Sequence, residues 1–439
     1  MSKKQLNRFD VLSKANAGFI TVREASEALG LSERQVKRLK KKVRDGGAAS
    51  VVHGNTGKSP VWKISDEVKA EILELRKLSE YEKCNFKHFA ELLLVRHGIE
   101  ISYQSLYRFL TEEGIKSPKT KRRYKPHRRR KRRPQAGLLL QIDASPFKWF
   151  KGNNTMYSLH GGIDDATGQI TGLYMCKNEC LHGYFEMFRR TISNYGIPVS
   201  IYADRNTIFQ SPNIKKHELD ASVPMNDTQF GRCLKELAVT LIAARSPQAK
   251  GRIERLWGTL QDRLPVEFMV HGIKTVEEAN TFLEKYIYDF NVNFAVEPEN
   301  MQNSFRKPRD DENLDYILCV KEKRVIDSGG VFSYFGKSFK IIDDEFPLPA
   351  KTQIYLLISS HIGLMAEYKN HMMDVLPFVP PKRRTRTVPK EHVTQLPGPD
   401  WRGEVKTNFI TIKDRIYESE NAYYETVRLI EKTLLGKYR

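Results

Sequence analysis

A chain of 439 residues with 40% hydrophobic content is too long for one ordinary domain and implies three or four units with real cores. A net charge of +20 points to a polyanionic partner; no basic amphipathic helix adjoins an apolar anchor, which favours nucleic acid over a lipid surface. No apolar run reaches the roughly 18 residues that cross a membrane. The opening MSKKQLNRFD lacks a signal-peptide core. Five scattered cysteines give no disulfide framework, so a reducing cytoplasm is the expected compartment.

Residues 1–50 read as a helix-turn-helix. Thr21 with Glu24 is a capping box opening one helix, Gly30-Leu31 is the turn, and Ser32 with Gln35 opens a second helix. That helix carries Arg34, Lys37, Arg38 and Lys41, suited to a DNA major groove. Residues 54–60 are a loop, and 60–117 repeat the helix, Gly turn, helix layout with Ser102 as an N-cap. Segment 118–136 is a basic arm: 11 of the 15 residues from Lys119 to Arg133 are Lys or Arg and none is acidic. Arg122, Arg123, Arg128, Arg129, Arg130 and Arg132 are its candidate phosphate contacts, with steep salt dependence expected.

Residues 137–295 alternate strand and helix patterns. GLLLQID is a strand ending at Asp143; MYSLHGGID and QITGLYMC form a hairpin turning at Gly168; LHGYFEMFRRTISNYG is a helix; VSIYAD is a strand ending at Asp204. A helix, the strand TLIAAR and the helix SPQAKGRIERLWGTLQDRL complete a mixed five-stranded sheet with helices on both faces. Residues 315–378 read as a small β-barrel, 379–412 as a second basic linker and 413–439 as a helix of unassigned partner.

Three acids share this core. A crossover helix makes the strands of Asp143 and Asp204 parallel, so as neighbours they bring both acids to one carboxyl edge, where open α/β sheets bind ligands. Glu254 follows on the last helix. With Ser246 as N-cap and Pro247 at the first position, it stands about two turns in, beside the stripe Ile253, Leu256, Leu260, Leu264. Three converging carboxylates repel unless cations intervene, and an all-oxygen set suits Mg²⁺ or Mn²⁺, two ions serving phosphoryl transfer. Lys250, Arg252 and Arg255 flank Glu254 as phosphate holders.

The series QIDASPFKWF, IDDATGQITG, YADRNTIF, TQFGRCLKELAV and SPQAKGRIERLWGTLQDRLP resembles the DDE core of bacterial insertion-sequence transposases in the retroviral integrase superfamily, most of all the ISNCY group. The resemblance implies an RNase H-like fold over 137–295, with Asp143, Asp204 and Glu254 as the metal-binding catalytic triad. It implies hydrolysis at element ends and transfer of the 3′-hydroxyl into target DNA. The partners implied are duplex DNA, both terminal repeats and target, and further copies of the chain on paired ends, in a nucleoid-associated protein. The chain departs from the pattern in placing 49 residues between Asp204 and Glu254, more than the family commonly has. The surplus fits an insertion at 211–225 and leaves Glu236 and Glu267 as fallback glutamates.

Rival readings are a DNA-binding regulator that no longer cuts and a structure-specific nuclease. Cys176, Cys180 and His182 lack a second ligand pair at finger spacing and do not make a zinc site. Asp164 and Asp165 precede a turn, with Asp165 near enough to the sheet edge to support the acids. Trp149 and Phe150 are either core residues or a stacking platform for a base.

Overall fold

The structure, a computed structural model, describes residues 2–53, 55–56, 64–119, 130–204, 206–209, 228–243, 250–343, 346–379 and 420–437. It forms two compact units, Met1–Arg76 and Lys77–Arg439. No helix among the described residues is long and apolar enough to cross a membrane.

In the first unit, α1 (Lys3–Asn16), α2 (Val22–Leu29) and α3 (Glu33–Gly46) pack around Leu12, Ala15, Ala25, Val36 and Val43. Thr21 and Glu24 form the expected reciprocal capping box, an N-cap contribution of about 1 kcal/mol. Gly30 takes the left-handed conformation the turn requires (φ 63°). Ser32 forms only half of the second box: its hydroxyl accepts from Gln35 N (3.4 Å), with no return bond from Gln35 among the described residues. Arg34, Lys37, Arg38 and Lys41 are all exposed, at spacings that share one face of α3. α4 (Asp66–Lys77) follows.

The second unit begins with α5 (Phe86–His97) and α6 (Tyr103–Glu112), joined through Gly98 (φ 66°). Ser102 caps α6 as expected, accepting from Ser105 N (3.1 Å). The core is a five-stranded sheet ordered β3-β2-β1-β4-β5, from β1 (Leu140–Phe147), β2 (Tyr157–Asp164), β3 (Ile170–Cys176), β4 (Ser200–Ala203) and β5 (Thr240–Ala243). β1 pairs antiparallel with β2 and parallel with β4. α7 (Leu181–Asn194) and α8 (Gln229–Glu236) join one apolar cluster with Leu140, Ile142, Ile201 and Ala203. α9 (Gly251–Val270) and α10 (Val276–Phe294) join another with Leu159, Leu173 and Met175. Helices therefore cover both faces, as the alternation predicted.

A short helix, α11 (Leu314–Ile317), leads to a six-stranded antiparallel sheet of β6 (Val320–Val325), β7 (Val331–Tyr334), β8 (Lys337–Ile342), β9 (Gln353–Ser359), β10 (Gly363–Tyr368) and β11 (His371–Pro377), ordered β6-β9-β10-β11-β8-β7. The expected barrel is nearly closed: no ladder joins the edge strands β6 and β7 among the described residues. The C-terminal helix, whose partner the sequence left open, is α12 (Glu420–Glu431) with a π-helical turn, Lys432–Lys437. Its Val427, Ile430 and Leu434 enter the cluster shared by α7 and the barrel. Residues 413–419 and most of the linker 379–412 lie outside the described residues.

Candidate active site

Asp143 does not end its strand. β1 runs on to Phe147 because β2 pairs with it throughout, Asp143 opposite Gly161 and Phe147 opposite Tyr157. The parallel half stops sooner: β4 pairs Ile201 with Leu140 and Tyr202 with Gln141, then ends at Ala203. The same offset sets Asp204, just past β4, beside Asp143. Both acids stand at the carboxyl edge of the parallel strands, the geometry the acid argument requires.

Alternation along β1 sends Leu140 and Ile142 toward α7 and α8 and leaves Asp143 and Ser145 facing α9. Along α9 a stripe meets them. Lys250 Nζ donates to Asp143 Oδ1 (2.8 Å) and lies 3.6 Å from Asp204 Oδ2. Trp257 Nε1 donates to Asp143 Oδ2 (3.1 Å), and Gln261 Nε2 to Ser145 Oγ (3.0 Å). Glu254 falls between Lys250 and Trp257 at the four- and three-residue spacings that share a helix face. It is exposed, and no described residue pairs with it.

α9 begins at Gly251 with Lys250 as N-cap, so Glu254 lies in its first turn rather than two turns in. The caps expected at Ser246 and Pro247 lie outside the described residues. The stripe Ile253, Leu256, Leu260 and Leu264 is buried as predicted, each side chain worth about 1.5–3 kcal/mol relative to exposure. The fallback glutamates serve elsewhere: Glu236 pairs with Arg232 (2.7 Å) and Glu267 with His88 (2.6 Å).

A carboxylate that sequence reasoning passed over stands beside the pair. Glu179 Oε1 accepts from Tyr184 Oη (2.8 Å) and from Asn206 Nδ2 (2.9 Å), while Asn206 N donates to Asp204 Oδ1 (3.1 Å). Asn206 thus ties Glu179 to Asp204. Burial raises the Glu179 pKa, and the negative charges of Asp204 and Asp143 add to the rise. Glu179 sits in the turn before α7, where no motif marks it.

Asp165 anchors the start of α9. It is fully buried, accepts from Gln141 Nε2 (2.8 Å), Arg252 Nε (2.6 Å) and Arg133 N (2.9 Å), and pairs with Arg130. Burial alone would raise its pKa; the Arg252 and Arg133 hydrogen bonds and the arginine charges outweigh it and hold the carboxyl below its ordinary value. Gln141 Oε1 in turn accepts from Ile253 N (3.3 Å), locking α9 to β1. Asp164, its pKa raised by burial, caps the turn through Thr167 N (2.8 Å) and Gly137 N (2.9 Å).

The candidate phosphate contacts therefore divide. Arg255 is exposed; Lys250 is held by the aspartates, and Arg252 by Asp165 rather than free for a phosphate. Arg130 and Arg132 bind Asp165 and the Ala166 carbonyl (3.0 Å), fastening the basic arm to the core. Arg122, Arg123, Arg128 and Arg129 lie outside the described residues.

The donors suit a hard divalent cation at the aspartate pair: oxygen only, converging on one ammonium. Among the described residues no three His, Cys, Asp or Glu side chains stand close enough together to hold a metal. Cys176 and Cys180 are buried free cysteines. Trp149 and Phe150 are core residues: Trp149 is fully buried and donates to Tyr157 O (2.9 Å), and Phe150 stacks on Phe268 at 5.4 Å.

Residues 8–70 match the family model described as a winged helix-turn-helix. The chain is 35% identical over 359 residues to the "Transposase for insertion sequence IS1202" of Streptococcus pneumoniae, covering 74% of this chain and 75% of that protein. It is 33% identical over 347 residues to the "Putative transposase y4bF" of Sinorhizobium fredii (strain NBRC 101917 / NGR234), covering 79% and 74%. Among solved structures, the HTLV-2 integrase catalytic core domain in complex with magnesium matches at 18% identity and TM-score 0.25, over 34% of this chain and 85% of that one. A chain of the simian T-cell lymphotropic virus intasome in complex with PP2A regulatory subunit B56 gamma matches at 14% and 0.30, over 70% and 96%. At these scores the likeness transfers no residue and no ligand.

Proposed function

The chain belongs to the insertion-sequence transposases, and we propose that Asp143, Asp204 and Glu254 form its catalytic triad on an RNase H-like core. The observation that carries this reading is the single ammonium of Lys250 lying 2.8 Å from Asp143 and 3.6 Å from Asp204, because two carboxylates that share one cation can share another. Asp143 and Asp204 would hold magnesium or manganese between them, and Glu254, exposed on the same face of α9, would complete a second position. Bound there, two ions would activate the attacking oxygen and offset charge on the leaving one.

The chain's own groups do the rest. Trp257 fixes Asp143 through Oδ2 and Asn206 fixes Asp204 through Oδ1, so neither carboxylate turns freely. Lys250, on a flexible stem, would pass from the carboxylates to a DNA phosphate. In the first step water oxygen bonds to phosphorus as the P–O3′ bond breaks, leaving a 3′-hydroxyl on the element and a 5′-phosphate on the flank. In the second, that hydroxyl loses its proton and attacks a target phosphodiester, displacing its 3′-oxygen. The exposed basic face of α3 and the second helical module would read the terminal repeats. The reaction pairs two ends, so a dimer or larger assembly on DNA is proposed.

A second reading is a DNA-binding regulator that no longer cuts. Incubation with element-end DNA and Mg²⁺ separates the two. Cutting and strand transfer by the wild type, lost in Asp143→Asn, supports the triad. Equal cutting by Asp143→Asn overturns it, and binding without cutting supports the regulator.

A further inference from the structure

Beyond the acids along α9 lies a groove of about 610 Å³ that the triad does not use. Four segments line it: Lys83 and Asn85 before α5, Pro118 and Lys119 after α6, the β1–β2 loop from Phe147 to Asn154, and Gln261, Asp262, Pro265 and Val266 on α9. Its charged side chains are four lysines, Lys83, Lys119, Lys148 and Lys151, against one aspartate, Asp262. Asp262 pairs with Lys119. No carboxylate among the described residues pairs with Lys83, Lys148 or Lys151, and all three are exposed.

The loop is built to hold its lysines outward. In FKWFKGNN, Trp149 and Phe150 are buried, Phe147 packs edge-on against Trp149 at 5.2 Å, and Lys148 and Lys151 stand out between and beyond them. Gly152 turns the chain at φ 84°, Asn153 N donates to Phe150 O (3.1 Å), and Lys148 Nζ reaches Asn154 Oδ1 (3.1 Å). Lys151 bonds the Ser79 carbonyl, four residues before Lys83. These are neutral partners that a phosphate can displace.

Position supplies the rest. Gln261 touches Ser145, two residues past Asp143 on the same face of β1, about 6.7 Å farther along the strand. Along α9, Gln261 is seven residues beyond Glu254, about 10.5 Å. A nucleic-acid strand advancing about 3.4 Å per nucleotide covers that distance in roughly three steps. We propose that this groove binds the phosphodiester backbone of the DNA strand leading into the acid site, about three nucleotides from the bond that is cut. The assignment of that strand as substrate rests on the transposase chemistry above; the binding itself does not.

The test uses the full chain and a fluorescein-labelled duplex of arbitrary sequence, with affinity read by anisotropy across a sodium chloride series. Each phosphate contact contributes about 0.9 to the slope of log affinity against log salt, so Lys148→Gln with Lys151→Gln should flatten the slope by nearly two. The matched pair Lys285→Gln with Lys307→Gln removes equal charge away from the groove and should leave the slope unchanged. An unchanged slope in the first pair, or equal flattening in both, overturns the proposal. Circular dichroism of each variant confirms folding, and the slope is measured without divalent cation, so that it reports binding whether or not the wild type cuts. A failure of cutting alone therefore strikes the triad and leaves the groove standing.

Discussion

Trp257 fills the space that a side chain on Gly161 would take: a Cβ there would lie 2.6 Å from the indole Cη2. Gly161 is also the β2 partner of Asp143, so its bare backbone lets the indole cross β2 and donate to Asp143. Gly161→Ala should therefore destabilise the core by about 1–3 kcal/mol, the usual cost of overpacking. Trp257→Phe should lose the Asp143 bond at smaller cost, and the double variant should recover part of the alanine penalty. Thermal denaturation of the four proteins gives the coupling; strict additivity would show that ring and glycine do not meet.

His160 gives the core an acid limit. It is fully buried, lies edge-on to Tyr184 at 4.8 Å, and accepts from Cys180 N (3.2 Å) while facing the Tyr174 carbonyl (3.2 Å). Burial, with a smaller contribution from the charge of His182, lowers its pKa from 6.5 to about 3. The folded imidazole is thus neutral where the unfolded one takes a proton. Stability from this group is complete above pH 6.5 and falls as the pH drops toward 3. His160→Phe should begin less stable, having lost the Cys180 partner, but should decline less steeply with acid. Melting temperatures measured from neutral to mildly acidic pH check the slope, and parallel declines would assign the limit to other groups.

The second helical module is coupled to α9 by charge. Arg263, 9% exposed, donates to both oxygens of Glu91 on α5 (2.6 and 3.0 Å), and His88 meets Glu267 at 2.6 Å. Glu91→Ala would leave Arg263 buried without its partner. Fully buried pairs cost 3–5 kcal/mol to break. Glu91 is 37% exposed, so water offsets part of the loss and about 1–3 kcal/mol is expected. Hydrogen exchange should show α5 losing protection while β1 and β2 keep theirs; equal loss throughout would mean the module does not open separately.

What could be read from the sequence was what short stretches decide. The Thr21–Glu24 box, the Gly30 turn, the Ser102 cap and the Gly168 hairpin each depend on a few adjacent residues, and each is present. The end of β1 was misplaced because β2, a distant partner, carries the strand past Asp143. α9 starts at Gly251, which places Glu254 a turn earlier in the helix than a cap at Ser246 implies, and Lys250 before it is held by the aspartates. Asp165 reads as a turn residue near enough to the sheet edge to support the acids, but nothing local tells that Arg130, Arg133, Gln141 and Arg252 will converge on it. Glu179 belongs to no motif: in CKNECLH it stands between two cysteines with nothing local to mark it. The signal that could have found it is a free acid at a strand-to-helix turn, on the same sheet edge as Asp204.

Glu179 also supplies the sharpest test of the acid site. Its Oε1 takes both hydrogen bonds, from Tyr184 and Asn206, and a glutamine amide oxygen can accept both as well. Glu179→Gln should therefore leave the melting temperature nearly unchanged while removing one negative charge beside Asp143 and Asp204. Residues that support metal ligands typically change affinity 10- to 100-fold when altered, so Mn²⁺ binding measured by calorimetry should weaken by about 10-fold. Asn206→Ala, which removes the Nδ2 bond to Glu179 and keeps the backbone N–H that donates to Asp204, should weaken it comparably. Unchanged Mn²⁺ affinity in both variants would reduce Glu179 to a residue that orders the turn before α7. Weakening in Asn206→Ala alone would assign the effect to the Asn206 side chain and not to the fourth charge.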